Sequence, residues 1–454
     1  MRALIVGTGG VGESIAVIAA RRDPAGELFE RMVLADADLA RAQRVSQRLG
    51  AERFPAEQVD GADAAAIAAL AAKHGVDIVC NLLPLWADIY VMEGALKAGV
   101  HYLDTAFGMD PKPLPDGSER PWFDAFQFDY HERFEKAGRL ALMGMGVEPG
   151  MADYYARYAA DHYFDEVEEM GVRDGSNLAI PGFEGIAFGF SVWSTIDELT
   201  CPAIVWEAGK GVYEVEPFSE KEPFFLPEGI GAVEVGHVAH DEVVHISRNA
   251  GLLKGVRKAT FKYGLGDEFE AAMGVLKSLN LHEMEPVEVA AADGRHVMVA
   301  PRDLVAAACP DPAEIGKRFV GKTAAGLWVK GRRDGLEREL YLYQVADNQE
   351  CLETFGTQAV VCQTAFTAVI TLELLATGKL AGHRGNPETG VRSPEEFCAD
   401  PYVALMADYG FPGGIMEMDS EYKKAGERAG LEAPALASAG EGAAPPYENE
   451  RIVE

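Results

Sequence analysis

Two groups of residues have types and spacings suited to chemistry. The first is Gly7-Thr8-Gly9-Gly10-Val11-Gly12, a GxGxxG loop. Gly7 permits a tight turn, Gly9 lets the backbone approach a pyrophosphate, and Gly12 lets the next helix pack on the preceding strand; free N–H groups at the helix start then face the phosphates. Asp36 ends the next apolar run and can accept hydrogen bonds from ribose hydroxyls while repelling a 2′-phosphate. That favours NAD over NADP, with Asp38 adding to the repulsion and Arg41 opposing it. The other reading of Asp36 is a helix N-cap. The second group is ionisable: Glu148, Asp104, His240 and Glu242 as acid/base candidates, with Asp241 beside them. A positioned carboxyl or imidazole moves protons at a reacting nitrogen or water and accelerates such steps roughly 10²- to 10⁴-fold.

The elements that must hold these groups read as alternating strands and helices. Ala3–Val6 is a short apolar run, as in a strand buried on both faces. Met32–Ala35, the segment before Asp60, Val76–Leu83, 101–106 and Leu140–Met143 continue the series, with helices at 14–20, 64–74, 88–98 and 126–137 between them. This predicts a Rossmann-type doubly wound parallel sheet over residues 1–150, whose ligands bind at the carboxyl ends of the strands. The Gly-rich loop, Asp36, Asp60, Leu83, Pro84, Trp86 and Asp104 then share one rim. Glu148 precedes a helix over 151–164 that Pro149 is suited to start, so capping that helix is its plainer role. For Asp104 the plainer role is bonding to nearby backbone at the strand end.

From about 167 the pattern becomes that of a mixed α+β substrate domain over 151–353. Strands are expected at 167–173, 187–192, 211–215, 234–246 and 258–263, a helix at 267–279, and a hairpin near 323–345 turning at Asp334-Gly335. As part of a strand, His240 and Glu242 share one face, able to hold a cationic amine, and Asp241 takes the other; a charged strand edge that blocks aggregation is the alternative. Trp86 and Trp193 are candidate substrate walls, with plain core the competing role. An apolar helix near 357–377, within 354–419, is expected to return to the nucleotide domain, and 420–454 reads as a loose tail.

Composition excludes several classes. The 454 residues carry 41 basic and 72 acidic side chains, a net charge of −31. Phosphate neutralisation and anionic membranes are both disfavoured, whereas cationic substrates are not. The six cysteines form no CxxC pair, and the start carries only a four-residue apolar run before glycines, so the chain reads as cytoplasmic and reduced. His237, His240 and His245 do not share a strand face, so no metal site is expected. No GxSxG elbow points to covalent catalysis.

Several stretches resemble the saccharopine dehydrogenase family, especially its carboxynorspermidine dehydrogenase branch. They are GTGGVG, NLLPLW (81–86), YLDTA (102–106), GVEPGMADYYARYA (146–159), AHDEV (239–243), GLWVKGRRDGLERELYLY (326–343) and QAVVCQTAFTAVITLELLATGKL (358–380). The resemblance implies an NAD(P)-dependent enzyme acting on the C–N bond of a secondary amine or amino acid. It places acid/base work at Glu148, where the family's turn carries Asp, and implies a homodimer, to which the apolar helix also points. Asp36 departs from the polyamine branch, which favours a saccharopine-dehydrogenase-like, NAD-linked reading. The alternatives are carboxynorspermidine dehydrogenase, lysine 6-dehydrogenase and a non-catalytic NAD-binding regulator.

Overall fold

A computed structural model describes residues 1–108, 121–382, 389–429 and 434–436. The N-terminal part is built from β1 (Arg2–Val6), α1 (Gly10–Arg22), β2 (Arg31–Asp36), α2 (Leu39–Leu49), β3 (Ala56–Gln58), α3 (Ala64–His74), β4 (Ile78–Asn81), α4 (Asp88–Ala98), β5 (His101–Leu103), α5 (His131–Lys136) and β6 (Leu140–Leu142). These strands are parallel and run β6-β5-β4-β1-β2-β3 across the sheet. The order reverses between β1 and β4, and in such sheets that switch point is where a ligand lies. Residues Ala3–Val6 and Met32–Ala35 are fully buried because helices cover both faces. Gly99 closes α4 in the left-handed conformation at φ +67°.

The second part follows α6 (Met151–His162). It comprises β7 (Glu166–Ser176), α7 (Val192–Thr200), β8 (Ala203–Glu207), β9 (Gly211–Val215), β10 (Glu222–Leu226), β11 (Gly231–His237), α8 (Glu242–Arg248), β12 (Lys258–Gly264), α9 (Asp267–Ser278), β13 (Val287–Ala290), β14 (His296–Val299), α10 (Pro301–Ala308), α11 (Pro312–Ile315), β15 (Lys322–Arg333) and β16 (Leu336–Asp347). The mixed sheet runs β10-β11-β12-β7-β15-β16, with only the β12–β7 pair parallel. Asp334 and Gly335, at φ +51° and +79°, make the β15–β16 turn, which needs left-handed backbone at both positions. The α/β fold class with a second α+β domain is therefore what the alternation predicted.

The remaining elements are α12 (Asn348–Phe355), α13 (Ala359–Ala376), β17 (Gly390–Arg392), α14 (Asp400–Asp408), β18 (Gly413–Glu417) and α15 (Glu421–Ala429). The apolar helix α13 packs on α1, and Arg22 grips its Glu373 through two bonds of 2.9 and 3.0 Å while Tyr409 Oη donates to the same carboxylate at 2.6 Å. β17 adds to the nucleotide sheet beside β6, and β18 adds to the mixed sheet beside β16.

The structure differs from the sequence expectations in four places. Residues 187–192 form no strand, and α7 begins at Val192 with Ser191 Oγ accepting from the Ser194 N–H at 3.3 Å. The expected strand 234–246 is two elements. β11 stops at His237, and the acidic Asp241 and Glu242 begin α8, where carboxylates meet the positive end of the helix. The front of the expected tail is α15, packed on β16; residues 430–433 and 437–454 lie outside the described residues. Finally, most of α13 is buried inside the fold, so its apolar character, read as a pointer to a second copy, is that of a core helix.

Candidate functional site

A cleft of about 1320 Å³ runs between the two parts of the molecule, from the Gly-rich loop to the mixed sheet. At one end Gly7, Thr8, Gly9, Gly10 and Val11 line it, together with Asp36, Asp60, Leu83 and Pro84. Gly12 does not line it. A Cβ there would stand 2.0 Å from Gly7 O, so this glycine lets α1 sit against the β1 turn. At Gly9 a Cβ would meet nothing within 4 Å, and no side chain caps α1. An open backbone surface at an uncapped helix N-terminus is what a pyrophosphate requires, so the residues present fit a dinucleotide.

Asp36 does not cap α2; Asp38 does, through Ala40 N at 3.0 Å. The Asp36 carboxylate accepts from Thr8 N and Thr8 Oγ1, each at 2.9 Å, and from Asp38 N at 2.9 Å, tying the Gly-rich loop to the end of β2. Arg41 Nη1 stands 3.9 Å away.

At the other end the lining turns acidic: Glu148, Asp174, Glu198 and Asp241 surround His240, Phe261 and Tyr263. Glu148 does not cap α6, since Asp153 accepts from Gly150 N at that helix start. Its carboxyl stands beside that of Asp174, and each shifts the other's protonation. Burial and the Asp174 charge raise Glu148 well above the carboxylate range, and burial lifts Asp174 to about 7. Asp174 also accepts from Gly326 N at 3.1 Å. Burial draws the His240 imidazole down, but Glu242 outweighs it with its charge and a 2.5 Å bond at Nδ1, holding the ring at about 10. Phe261 stacks on that ring at 3.9 Å. Asp241 Oδ2 accepts from Phe107 N at 2.7 Å, joining the mixed-sheet part to the nucleotide rim.

Two of the four acid/base candidates do not reach the cleft. Asp104 is buried behind it, with Oδ1 accepting from Gly144 N at 2.7 Å, the backbone role at a strand end. Glu242 is buried behind His240, which it reaches across a turn rather than along one strand face. Asp174 and Glu198, which sequence reasoning overlooked, do line the cleft. Trp86 and Trp193 are 50% and 42% exposed at its mouth, so neither is core. The three histidines part company: His237 faces Glu220, His240 faces Glu242 and His245 faces Asp153.

A parallel sheet of Rossmann order, its Gly-rich loop opening onto a buried acid–base pocket from a second domain, defines a two-domain NAD(P)-dependent dehydrogenase. The chain belongs to the saccharopine dehydrogenase family: residues 3–142 match its saccharopine dehydrogenase NADP binding domain and residues 146–411 its C-terminal domain. It is 27% identical to a carboxynorspermidine synthase of Vibrio alginolyticus, over 92% of this chain and 98% of that one. It is also 27% identical to a carboxyaminopropylagmatine dehydrogenase of Synechocystis sp., over 90% and 96%. Among solved structures, apo saccharopine dehydrogenase (L-Glu forming) from Saccharomyces cerevisiae shares the fold with a TM-score of 0.64 at 14% identity, covering 92% of this chain and 100% of that one. The protein is thus an NAD(P)-dependent oxidoreductase acting on CH–NH bonds.

Proposed function

We propose that the cleft interconverts a secondary amine with its imine, with Glu148 and Asp174 handling one proton and His240 another. In the oxidative direction the substrate nitrogen must be neutral before hydride leaves the adjacent carbon. The Glu148–Asp174 pair, once it has lost one of its two protons, takes the ammonium proton; the hydrogen then leaves carbon with the C–H electron pair as hydride while the nitrogen lone pair forms the C=N bond. NAD(P), when bound, supplies the hydride acceptor. Water then adds to the imine carbon and gives one proton to solvent, a proton passes to nitrogen from the His240 imidazolium, and the C–N bond breaks as the hydroxyl proton returns to His240, giving a carbonyl compound and a free amine. Reduction runs the same steps backwards. Asp104 and Glu242 act as positioning residues, because neither touches the cleft. The observation that carries this reading is the buried Glu148–Asp174 pair beside the nucleotide rim.

Charge favours a cationic amine as the substrate. Among the described residues lining the cleft, the basic side chains other than His240 are Arg41, Arg44 and Arg48 on α2, at the adenosine end, and Lys317, held by Glu314 at 2.7 Å. A substrate rich in carboxylates, as saccharopine is, calls for Arg or Lys partners; the amine end of this cleft presents acids. Reductive joining of a carbonyl compound to a diamine is therefore the reading within the class that the pocket supports best. Asp36 supports NAD as the preferred form of the cofactor. The six cysteines are unpaired, which supports a cytoplasmic setting. A homodimer belongs to the same proposal. It is supported by the β13–β14 hairpin, whose Val287, Val289 and Met298 lie exposed, and molar mass by light scattering tests it.

The test is turnover with NAD(H) and NADP(H) in both directions on saccharopine, lysine, carboxynorspermidine and aldehyde-plus-diamine mixtures. Glu148→Gln is expected to lose about 10²- to 10⁴-fold in kcat while cofactor affinity stays unchanged. Silence with every amine, or a fully active Glu148→Gln, sinks the reading.

A further inference from the structure

Behind the turn that carries Glu148, three side chains from distant parts of the chain converge. Asp153 lies in the first turn of α6, His245 in α8, and Glu395 in the short turn Pro394–Glu396. One ligand atom from each lies within 4.8 Å of the others, and all three residues are fully buried. Their hydrogen bonding is incomplete. Asp153 Oδ2 accepts from Gly150 N at 2.8 Å and lies 3.2 Å from His245 Nδ1, but Asp153 Oδ1, His245 Nε2 and both Glu395 carboxyl oxygens have no hydrogen-bond partner among the described residues.

A buried charge persists only when it is paired or bound to a metal. Among the described residues no Lys or Arg side chain pairs with these carboxyl oxygens; Arg157 Nη1 donates to the main-chain carbonyl of Glu395 at 3.4 Å. One proton shared between Asp153 and Glu395 satisfies a single oxygen–oxygen contact and leaves the second Glu395 oxygen bare. A divalent cation cancels both carboxylate charges and takes up the oxygen lone pairs together. The donor set of one imidazole nitrogen and carboxylate oxygens, with Glu395 able to offer two, suits a borderline divalent ion such as zinc.

We infer that Asp153, His245 and Glu395 form a structural site for one divalent transition-metal ion, zinc foremost. The ion staples α6, α8 and the 394–396 turn together behind the cleft. It takes no part in hydride transfer, and the site departs from the sequence expectation of no metal because its ligands come from three separate segments.

The experiment is metal analysis by mass spectrometry on the full-length chain, made without a histidine tag and gel-filtered in metal-free buffer. The expected result is about one equivalent of zinc, manganese, iron or cobalt per chain, falling at least tenfold in Glu395→Gln and in His245→Asn. A second arm unfolds the wild-type chain in guanidinium with chelator and refolds it with or without added zinc, reading circular dichroism and the thermal midpoint. Recovery that needs zinc supports the site. Less than a tenth of an equivalent of all four metals in the wild-type chain, or full refolding in chelator, overturns it and leaves a protonated carboxyl pair in its place. The wild-type measurements decide even if the variants fail to fold.

Discussion

His240 shows how a side chain acquires a working state from its neighbours. Phe261 fixes the plane of the ring and Glu242 holds Nδ1, so the imidazolium stays charged up to about 10. Asp174 loses its proton at about 7. In the amine-oxidising direction kcat/KM is therefore expected to rise with pH through about 7 and to fall near 10. His240→Gln should remove the upper limb and Asp174→Asn should move the lower one; profiles unchanged in both variants would exclude these assignments. At the nucleotide end, Asp36→Ala should raise the NADP-to-NAD ratio of kcat/KM roughly tenfold, about 1.4 kcal/mol of lost discrimination. An unaltered ratio would mean that Asp36 serves only the loop. Glu148 stood out in the sequence by its place before a helix at the nucleotide rim, and His240 as one of three ionisable groups in an apolar-alternating stretch. Asp174 did not, because Asp before Gly reads as a turn signal, and Glu198 lies on a helix that began where a strand was expected.

Elements explain which of these readings transferred to three dimensions. The βα half was legible because its central strands β1 and β2 are apolar runs closed by Gly7 and Asp36, whereas β3, Ala56–Gln58, carries no such run. The 234–246 segment was not, because its apolar alternation continues through a change from strand to helix; only the packing of α8 against β12 and α6 decides where the strand ends. The Gly-rich loop separates two roles that one motif combines. Gly12→Ala forces a Cβ to 2.0 Å from Gly7 O, so α1 must shift, and both the thermal midpoint and cofactor affinity should fall. Gly9→Ala meets open space in the free protein, so its midpoint should hold while the dissociation constant rises tenfold or more. Differential scanning calorimetry with cofactor titration checks both. A Gly9→Ala protein that binds normally would place the pyrophosphate elsewhere.

For the whole molecule, burial of so many acids gives stability a definite pH dependence. Burial lifts Asp104, Asp174 and Glu198 to about 7, so the folded chain binds more protons than the unfolded chain across the range between ordinary carboxyl values and neutrality. His240, held at about 10, adds a proton to the folded side from its unfolded value upwards. Both signs agree: stability should rise as pH falls from 9 to 6. His101 and His237, lowered chiefly by burial, oppose this only below their ordinary value. A thermal midpoint several degrees higher at pH 6.5 than at 8.5, with a flatter dependence in Asp174→Asn, is the expected outcome; a midpoint that climbs with pH would contradict these protonation states.

The seventh strand of the nucleotide sheet, Gly390–Arg392, arrives only after the whole second domain has been made. Until it docks, the edge of Leu140–Leu142 presents unpaired backbone groups, a ready template for another chain. A polypeptide emerging from the ribosome must therefore keep its first half unfinished until nearly all of the second has been synthesised. The nucleotide sheet thus gains its last edge only when the chain beyond the second domain returns to it, so one sheet is closed by both ends of the sequence.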